Sequence, residues 1–485
     1  MKKISILHIS DIHKGADMSL ETLLHSFVRD SERWDEEGIR RPDYIVLSGD
    51  VIQGGASDEE IARQYNEAEK FLSELCLKFL QGRRKRMIIV PGNHDVSWPH
   101  SMNCMLPIEV TPENIENYRK SCVKVLLDNP LRWKWEEKQL FKINSMDEYA
   151  HRFDQFVRFY NHFYNGIYTY PIHPEHEAVC IPFPEDNICF ACFNSCCNND
   201  HLNDAGAIHK NAIFSIERDL ATCFRSGMLP IGVWHHNAYG DPYQSDYMSK
   251  AVLDKLLEHR IKIGLFGHQH RSQVAEEYSD LLISEENRKR LLLISAGTLY
   301  GGDDEQHRGT RRQFNIIELE MDNGRAKVLI HVREDGNDDI SSDDPYWRAK
   351  QLPGGSVITY HVNFKMISDD ERLRRIDEET RTSQDYAAGI AALRSSGIDS
   401  DSIQIMMDEY LKMLDSKTLL SVLPEPETAE QCFLLIAAID NEHDRQAFDR
   451  LAKNRILQES VKTDSVLKEQ FLSLQDKFKI WGTER

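Results

Sequence analysis

Five short polar clusters each follow an apolar, β-branched run of the chain, and this repeated pairing constrains the fold more than any other feature. The runs are ISILHIS, YIVLSGD, RMIIVPG, LPIGVWHH and IKIGLFGH. The clusters at their ends are Asp11-Ile12-His13, Gly49-Asp50, Gly92-Asn93-His94-Asp95, His235-His236 and Gly267-His268-Gln269-His270. Because open α/β sheets bind ligands at the carboxyl ends of their strands, the pattern predicts one site built from five loops.

The residue types in these clusters point to metal ions. Each cluster alone is weak evidence, since a Gly-Asp pair is usually a turn and a lone His is more often a core residue than a ligand. Together, Asp, His and Asn supply the donors that borderline and hard divalent cations prefer, in sufficient number for two adjacent ions. Gly49, Gly92 and Gly267 let the backbone turn tightly after a strand and approach the ions closely. The pattern therefore predicts a dinuclear metal centre.

The ordered set DxH, GD, GNHD, H and GHxH resembles the signature of the calcineurin-like metallophosphoesterases, over roughly residues 1–330. The resemblance implies two ligand sets joined by one carboxylate: Asp11, His13 and His270 for one ion, Asn93, His235 and His268 for the other, and Asp50 as the bridge. It also implies that His94 contacts the phosphate and protonates the leaving oxygen while Asp95 orients the His94 ring. His235 is preferred to His236 as the ligand because it comes first after the strand.

The same resemblance implies a hydrolase that cleaves phosphodiester bonds by attack of a metal-bridged hydroxide. Two ions about 3.5–4 Å apart lower the pKa of a bridging water and clamp the attacking and leaving oxygens. Mn is the expected metal, and Fe, Zn or a mixed pair is also compatible, because these ligand types do not select between them.

Nucleic acid is the expected substrate, with the enzyme acting as a nuclease, in one setting within a repair or defence complex. The alternatives are a cyclic-nucleotide phosphodiesterase and a phosphomonoesterase acting on a small molecule or a phosphoprotein. The chain has GDVIQGG and PGNHD where eukaryote-type protein phosphatases have GDYVDRG and RGNHE, which favours the diesterase branches. Its net charge of −20 weighs against a stand-alone DNA binder. The expected substrate contacts are Asn93, His236, Arg311 and Arg312.

The pattern of elements predicts an α/β fold with a second, partly antiparallel sheet, a helical insertion and a mainly helical C-terminal domain. The resemblance implies that the two sheets form an αββα metallophosphoesterase sandwich. Residues 1–335 form the phosphoesterase domain, with a helical cap at about 98–180. The aromatic stripe of Tyr149–Tyr164 either faces the core or lines a cleft over the site. Residues 336–345 are an acidic linker, and residues 346–485 are a C-terminal domain with a possible role in binding a partner protein or a second copy.

Composition narrows the class of protein further. With 41% hydrophobic and 28% charged residues the chain is an ordinary folded protein, and no run approaches 18 apolar residues, so we expect no membrane contact and a cytoplasmic location. Ten cysteines include Cys189, Cys192, Cys196 and Cys197 in one short segment. A zinc site there lacks a second CxxC or a pair of histidines, so buried or free thiols are favoured.

Overall fold

The computed structural model describes residues 2–15, 19–240, 246–278, 289–299, 311–338, 344–352, 355–364, 369–395 and 401–481. It divides into two compact units, Met1–Met366 and Ile367–Arg485. Within the described residues, no helix combines the length and the apolar character needed to cross a membrane.

The described strands of the first unit form three sheets. In chain order they are β1 (Lys2–Ile9), β2 (Tyr44–Ser48), β3 (Met87–Val90), β4 (Met105–Ile108), β5 (Leu131–Lys134), β6 (Gln139–Ile143), β7 (Val179–Phe183), β8 (Ile188–Cys192), β9 (Leu229–Val233), β10 (Ile263–Phe266), β11 (Gln273–Tyr278), β12 (Arg290–Ser295), β13 (Gln313–Asp322), β14 (Arg325–Asp335), β15 (Trp347–Ala349) and β16 (Val357–Asn363). The first sheet has the order β15-β14-β13-β1-β2-β3, with β16 also on β14, and the second has the order β11-β12-β10-β9-β8-β7. The third is a small sheet of order β4-β6-β5.

Each large sheet has a parallel centre. β1, β2 and β3 run parallel, as do β8, β9, β10 and β12, whereas the outer strands β7, β11, β13 and β14 pair antiparallel. Parallel strands buried on both faces are read from sequence as continuous apolar runs, and YIVLS in β2 is buried throughout. The predicted site is therefore expected at the carboxyl ends of these parallel strands.

Helices cover the outer faces of both sheets. The described helices of the first unit are α1 (Leu20–Ser31), α2 (Asp58–Leu80), α3 (Trp98–Asn103), α4 (Pro112–Cys122), α5 (Met146–Ala150), α6 (Asp154–Tyr164), α7 (Lys210–Ser215), α8 (Glu217–Arg225) and α9 (Lys250–Glu258). One core packs α1, α2 and α6 on the first sheet, a second lies between the two sheets, and a third packs α7, α8 and α9 on the second sheet. This four-layer αββα arrangement confirms the predicted fold class.

The residues that begin and end a helix are clearly marked in the sequence of α2. The α2 N-cap Ser57 accepts a hydrogen bond from the Glu60 backbone N–H, three acidic residues fill its first turn, and Gln81 ends it in a left-handed conformation. Such local chemistry fixes where the helix begins and ends, and the apolar stripe then selects the face that is buried.

The second unit is helical, as predicted. Its helices are α10 (Asp369–Ser383), α11 (Tyr386–Ser395), α12 (Asp401–Lys412), α13 (Ser416–Val422), α14 (Ala429–Glu442), α15 (Arg445–Leu451), α16 (Arg455–Thr463) and α17 (Ser465–Trp481). Side-chain caps at Asp415, Thr428, Asp444 and Asn454 begin four of them. Leu411, Leu435, Ile439 and Leu467 lie in one apolar core of this unit.

The boundary between the units differs from the predicted linker. β15 and β16 come after residues 336–345, yet both pair with β14 in the first sheet. Trp347 of β15 is buried in the core beneath α1. A domain boundary at 336–345 is therefore wrong, because the sheet continues to Asn363 and the compact unit ends near Met366.

The insertion at about 98–180 is also not the helical cap that was expected. It contains the β4-β6-β5 sheet as well as α3 to α6. The aromatic stripe of α6 faces the core: Phe159 stacks on Tyr65 of α2 with ring centroids 4.9 Å apart, and Tyr164 donates a hydrogen bond to the Met87 carbonyl. The rings share a buried core with α2 and β3, which removes their apolar surface from water.

Candidate metal centre

The carboxyl ends of β1, β2, β3, β9 and β10 bring the five predicted clusters together. Backbone bonds join the loops: the Asp11 N–H donates to the Gly49 carbonyl, and the Gly267 N–H donates to the His235 carbonyl. Residues at these strand ends adopt left-handed backbone conformations that few side chains tolerate: Asp11, His13, Asp50, His268 and His270, with φ between 45° and 73°. Strained positions of this kind cluster at functional sites, because the surrounding structure must hold them.

The first group of donor atoms comes from both sheets. Asp11 and His13 follow β1, and His270 follows β10. The His13 Nε2 and His270 Nε2 atoms are 3.1 Å apart, and the Asp11 Oδ1 atom lies 3.3 Å from His270 Nε2 and 3.7 Å from His13 Nε2. All three residues are buried. This is the set predicted for one ion.

The second group is equally dense. His235 Nε2 lies 3.1 Å from Asp50 Oδ2, 2.9 Å from Asn93 Oδ1 and 3.3 Å from His268 Nδ1. Asn93 Oδ1 is also 3.0 Å from His268 Nδ1. The Asp50 carboxylate additionally lies 3.6 Å from His13 Nε2 of the first group. Asp50 thus lies near both groups, which is the position predicted for the bridge.

The donor set fits two divalent cations. His235 Nδ1 donates to the Ser48 carbonyl at 2.8 Å, which orients the ring with Nε2 toward Asp50 and Asn93. Burial lowers the pKa of His235, but Asp50 and Asp11 outweigh it and raise that pKa to about 9. Burial alone also raises the pKa of Asp50, whereas His235, His94 and His13 together hold it well below its usual range. The buried carboxylates thus attract positive charge, and oxygen and imidazole donors match what such ions bind.

Glycines permit the close approach of these loops. A Cβ at Gly92 would lie 2.1 Å from Asp50 Oδ1, and a Cβ at Gly49 would lie 2.4 Å from His235 Nδ1. Gly49 also has a φ of +99°, which disfavours any other residue. The prediction that glycines let the backbone approach the ligands is confirmed at these two positions.

His94 lies over the donor atoms, where the general acid was predicted. Its backbone N–H donates to Asp50 Oδ1 at 2.9 Å, and its ring meets the His13 ring edge-on at 4.6 Å. Its Nδ1 bonds to the Gln53 carbonyl at 2.9 Å. Because a carbonyl only accepts, Nδ1 carries a proton and Nε2 is the atom left to gain or lose one.

The expected role of Asp95 needs correction. Its carboxylate accepts hydrogen bonds from the Gly92 and Val51 backbone N–H groups and from the Tyr65 hydroxyl, at 2.8, 3.3 and 2.9 Å. Burial and the nearby Asp50 charge raise the pKa of Asp95 to about 7. The carbonyl of Gln53, and not Asp95, is bonded to the His94 ring, so Asp95 positions the loop that carries Asn93 and His94.

Of the four predicted substrate contacts, one fits, two do not, and Arg311 stays a prediction. Asn93 is partly exposed beside the donor atoms. His236 is fully buried, and its Nδ1 bonds to the Ser195 hydroxyl at 2.9 Å behind His268. The Arg312 guanidinium is buried against Asp335 at 2.6 Å, and the Arg311 guanidinium donates to the Asp335 carbonyl at 2.9 Å. Neither arginine has a described contact with the donor groups, and a contact between substrate and Arg312 or His236 is wrong because both side chains are buried.

Sequence analysis missed several residues that shape the site. The Ser195 hydroxyl accepts the backbone N–H groups of His235 and His236 at 3.1 and 3.0 Å. Trp98, at the start of α3, is 46% exposed and its ring lies 6.3 Å from the His94 ring at 34°. An aromatic residue four positions after His94 was the available signal. Ser195 offered none, because it reaches the site only through the pairing of β8 with β9.

The family model described as "Calcineurin-like phosphoesterase" matches residues 4–272, and no curated protein matches the chain. A dimetal phosphatase from Danio rerio is 11% identical over 75% of this chain and 100% of its own, with a TM-score of 0.35. Vacuolar Protein Sorting 29 from Cryptosporidium parvum is 12% identical over the same shares, with a TM-score of 0.29.

Wild-type Vps29 complexed with zinc from Entamoeba histolytica is 11% identical over 75% of this chain and 100% of its own, with a TM-score of 0.25. Scores below 0.5 add nothing to the assignment, which depends on the family model. That model spans more than half of the chain, and its residues include all five polar clusters. The chain therefore belongs to the calcineurin-like phosphoesterase family and is a metal-dependent phosphoesterase.

Proposed function

We propose that this phosphoesterase hydrolyses phosphodiester bonds in nucleic acid. The observation that carries the proposal is the pairing of an exposed indole, Trp98, with the imidazole of His94. An indole face stacks on any nucleobase, and base stacking on an aromatic side chain contributes about 1–3 kcal/mol per base. A base held on Trp98 would place its attached phosphate close to His94.

Two divalent ions, with manganese as the proposed metal, would supply Lewis acidity toward the phosphate and lower the pKa of water. Asp11, His13 and His270 would hold one ion, Asn93, His235 and His268 the other, and Asp50 would contact both. Iron, zinc or a mixed pair would suit the same donors.

The chain's own residues would position the leaving group. The Gln53 carbonyl fixes the His94 ring with Nδ1 protonated, so Nε2 would give a proton to the leaving oxygen. Asp95 and Tyr65 would hold the loop that carries His94. The Asp95 carboxylate accepts hydrogen bonds from the backbone N–H groups of Val51 and Gly92 and from the Tyr65 hydroxyl. Removing His94 would leave the leaving oxygen without this proton donor.

A substrate panel with manganese tests the proposal. It contains single-stranded DNA, double-stranded DNA, RNA, cyclic nucleotides and a phosphomonoester, each with wild-type protein and with His94→Ala and Asp50→Asn. We expect cleavage of polynucleotide that is lost in both variants. Turnover of cyclic nucleotides or of the monoester alone would contradict the nucleic-acid proposal and favour a small-molecule phosphoesterase.

The role of Trp98 has its own test. We expect Trp98→Ala to raise KM for an oligonucleotide by a factor corresponding to about 1–3 kcal/mol, and Trp98→Phe to restore most of it. An oligonucleotide with abasic sites is the matched control, because it keeps the diester and loses the base. An equal rise in KM for both substrates would exclude stacking as the function of Trp98.

A further inference from the structure

A cluster of three cysteine thiols lies outside the candidate metal centre. Cys180 is on β7, Cys189 on β8 and Cys223 on α8. Their Sγ atoms all lie within 4.8 Å of one another, and those of Cys180 and Cys223 are 4.0 Å apart. None of the three is in a disulfide. Three separate elements thus direct a thiol to one point.

The neighbouring cysteines show that this convergence is selective. Cys192, Cys196 and Cys197 are close to Cys189 in the sequence, yet none belongs to the group of three. In β8, Cys189 lies in the core beneath α7 to α9, whereas Cys192 lies in the core between the sheets, because alternate residues of a strand face opposite sides. Cys223 is 43 residues from Cys180 and meets it only through the packing of α8 on the sheet.

We infer that Cys180, Cys189 and Cys223 bind one thiophilic divalent cation of the zinc class. Soft sulfur donors favour zinc and its heavier relatives over the oxygen-seeking ions. A divalent ion with three thiolates has a net charge of −1, whereas Cu⁺ with three thiolates has a net charge of −2. The desolvation cost of burying the site is therefore smaller with the divalent ion. Cys189 and Cys223 are buried and Cys180 is half-buried, so solvent can reach the ion and supply its fourth ligand.

Binding is a proton exchange with no change of oxidation state. Each thiol loses its proton to water as its sulfur bonds to the cation, so one ion releases up to three protons. The site needs neither an oxidant nor the phosphoesterase reaction.

A second polar cluster shows what a poorer metal site looks like. Asp128, His176 and His209 also bring their donor atoms within 4.8 Å of one another. His209 Nδ1 accepts the Asn211 backbone N–H at 3.2 Å, so its Nε2 carries the proton of a neutral ring. A protonated Nε2 has no lone pair for an ion, and this cluster is a hydrogen-bonded group in which His176 Nε2 lies 3.1 Å from Asp128 Oδ1. In the cysteine cluster each sulfur can bind an ion once its thiol proton is lost.

Titration of the reduced full-length protein with Cd²⁺ tests the inference, because cadmium bonded to sulfur absorbs in the ultraviolet through thiolate charge transfer. Cadmium held only by His and Asp at the candidate metal centre gives no such band. We expect a band whose final intensity corresponds to one sulfur-bound Cd²⁺ per chain. No band in the wild-type protein would overturn the inference.

Single variants assign the band to its sulfurs. Cys180→Ser, on the edge strand and half-buried, is the variant least disruptive to folding, and we expect it to weaken Cd²⁺ binding at least tenfold. Cys192→Ser is the matched control on the opposite face of β8, and its band should be unchanged. Equal losses in both variants would overturn the inference.

Thiol reactivity gives a second measurement that needs no variant. We expect Zn²⁺ to protect Cys180, the half-buried thiol of the group, from an aromatic disulfide reagent that reacts with the folded protein. No protection would contradict the site. Neither result depends on hydrolysis, so failure of the proposed function and failure of this site are separate outcomes.

Discussion

At Gly92 the space of a single methyl group determines whether Asp50 can stay in place. An added Cβ would meet the Asp50 carboxylate and its backbone N, while the Gly92 backbone itself is extended and suits any residue. We expect Gly92→Ala to lower kcat by at least tenfold, because Asp50 must shift away from the donor groups. Steady-state hydrolysis with manganese measures it.

Gly15→Ala is the matched control for that substitution. A Cβ at Gly15 meets the Gln53 side chain at 3.4 Å, which is an ordinary contact, and Gly15 lies two residues after His13. We expect kcat to stay within about twofold of wild type. Equal losses in the two variants would show that any bulk in these loops is harmful, and would contradict the specific clash with Asp50.

A half-buried lysine, Lys262, makes stability depend on pH. Burial, with Lys289 and Arg260 nearby, lowers the pKa of Lys262 from 10.5 to about 8. Between pH 8 and 10.5 the unfolded chain binds more protons than the folded one, so stability rises with pH in this window and the charge penalty is complete below pH 8. We expect Lys262→Met to raise the free energy of unfolding at pH 7 by up to about 3 kcal/mol.

Thermal unfolding from pH 7 to 10.5 checks this prediction. The wild type should gain stability relative to Lys262→Met as the pH rises, and the two should converge near pH 10.5. Lys255, an exposed lysine paired with Glu258 on α9, is the control. If Lys255→Met gave the same change at pH 7, the effect would be one of net charge and not of burial.

At this scale, sequence predicted the residues whose chemistry is specific and missed those whose role depends on packing. Asp11, Asp50 and His235 were identifiable because carboxylates and imidazoles follow apolar runs. The correction at Asp95 came from hydrogen bonds that no spacing encodes, and the burial of Arg312 against Asp335 came from the pairing of β13 with β14.

Among the elements, the insertion depends on two buried arginines. Arg152 is fully buried and forms two bonds to Glu175, at 2.6 and 2.9 Å, while Arg132 pairs with Asp200 at 2.6 Å. Removing one partner of a buried pair leaves an uncompensated charge, at a cost of about 3–5 kcal/mol. We expect Arg152→Ala to lower the free energy of unfolding by that amount, measured in urea.

The exposed pair Lys120 and Glu116 on α4 is the control within the same insertion. Lys120→Ala should change the free energy of unfolding very little, because solvent screens exposed pairs. A small effect of Arg152→Ala as well would mean that water enters and solvates Glu175, and that the pair does not stabilise the insertion.

Strand runs rich in Val, Ile and Leu were predictable as elements, whereas the insertion sheet was not. β5 is LRWK and β4 is MLPI, and such short, mixed strands carry no clear period of two. The stripe on α6 correctly indicated a helix with one apolar face. The stripe could not identify α2 as the helix that covers this face, because the spacing of apolar residues within one helix carries no information about which element packs on it.

On the scale of the whole molecule, the end of the first unit is testable by truncation. Val362 and Phe364 are buried in the core between the large sheets, and β16 covers the edge of β14. We expect a chain ending at Met366 to fold and hydrolyse substrate, and a chain ending at Asp344 to lose cooperative unfolding, because it lacks β15 and β16. Circular dichroism melting compares them.

Equal melting of the two truncated chains would contradict the placement of the boundary near Met366.

The proposal that the C-terminal unit binds a partner protein or a second copy needs a separate measurement. Light scattering of the full-length chain on size exclusion tests the second copy, and a monomer mass at all concentrations would exclude it.

Each donor group takes residues from both large sheets, and this gives the ions a mechanical consequence. A cation held by Asp11 and His270, or by Asn93 and His235, cross-links two layers that otherwise meet through apolar contact. At one hundred times its dissociation constant an ion stabilises the fold by about 2.7 kcal/mol per site. Chelation should therefore lower the melting temperature of wild type more than that of Asp50→Asn, and equal melting with and without metal would show that the sheets hold together unaided.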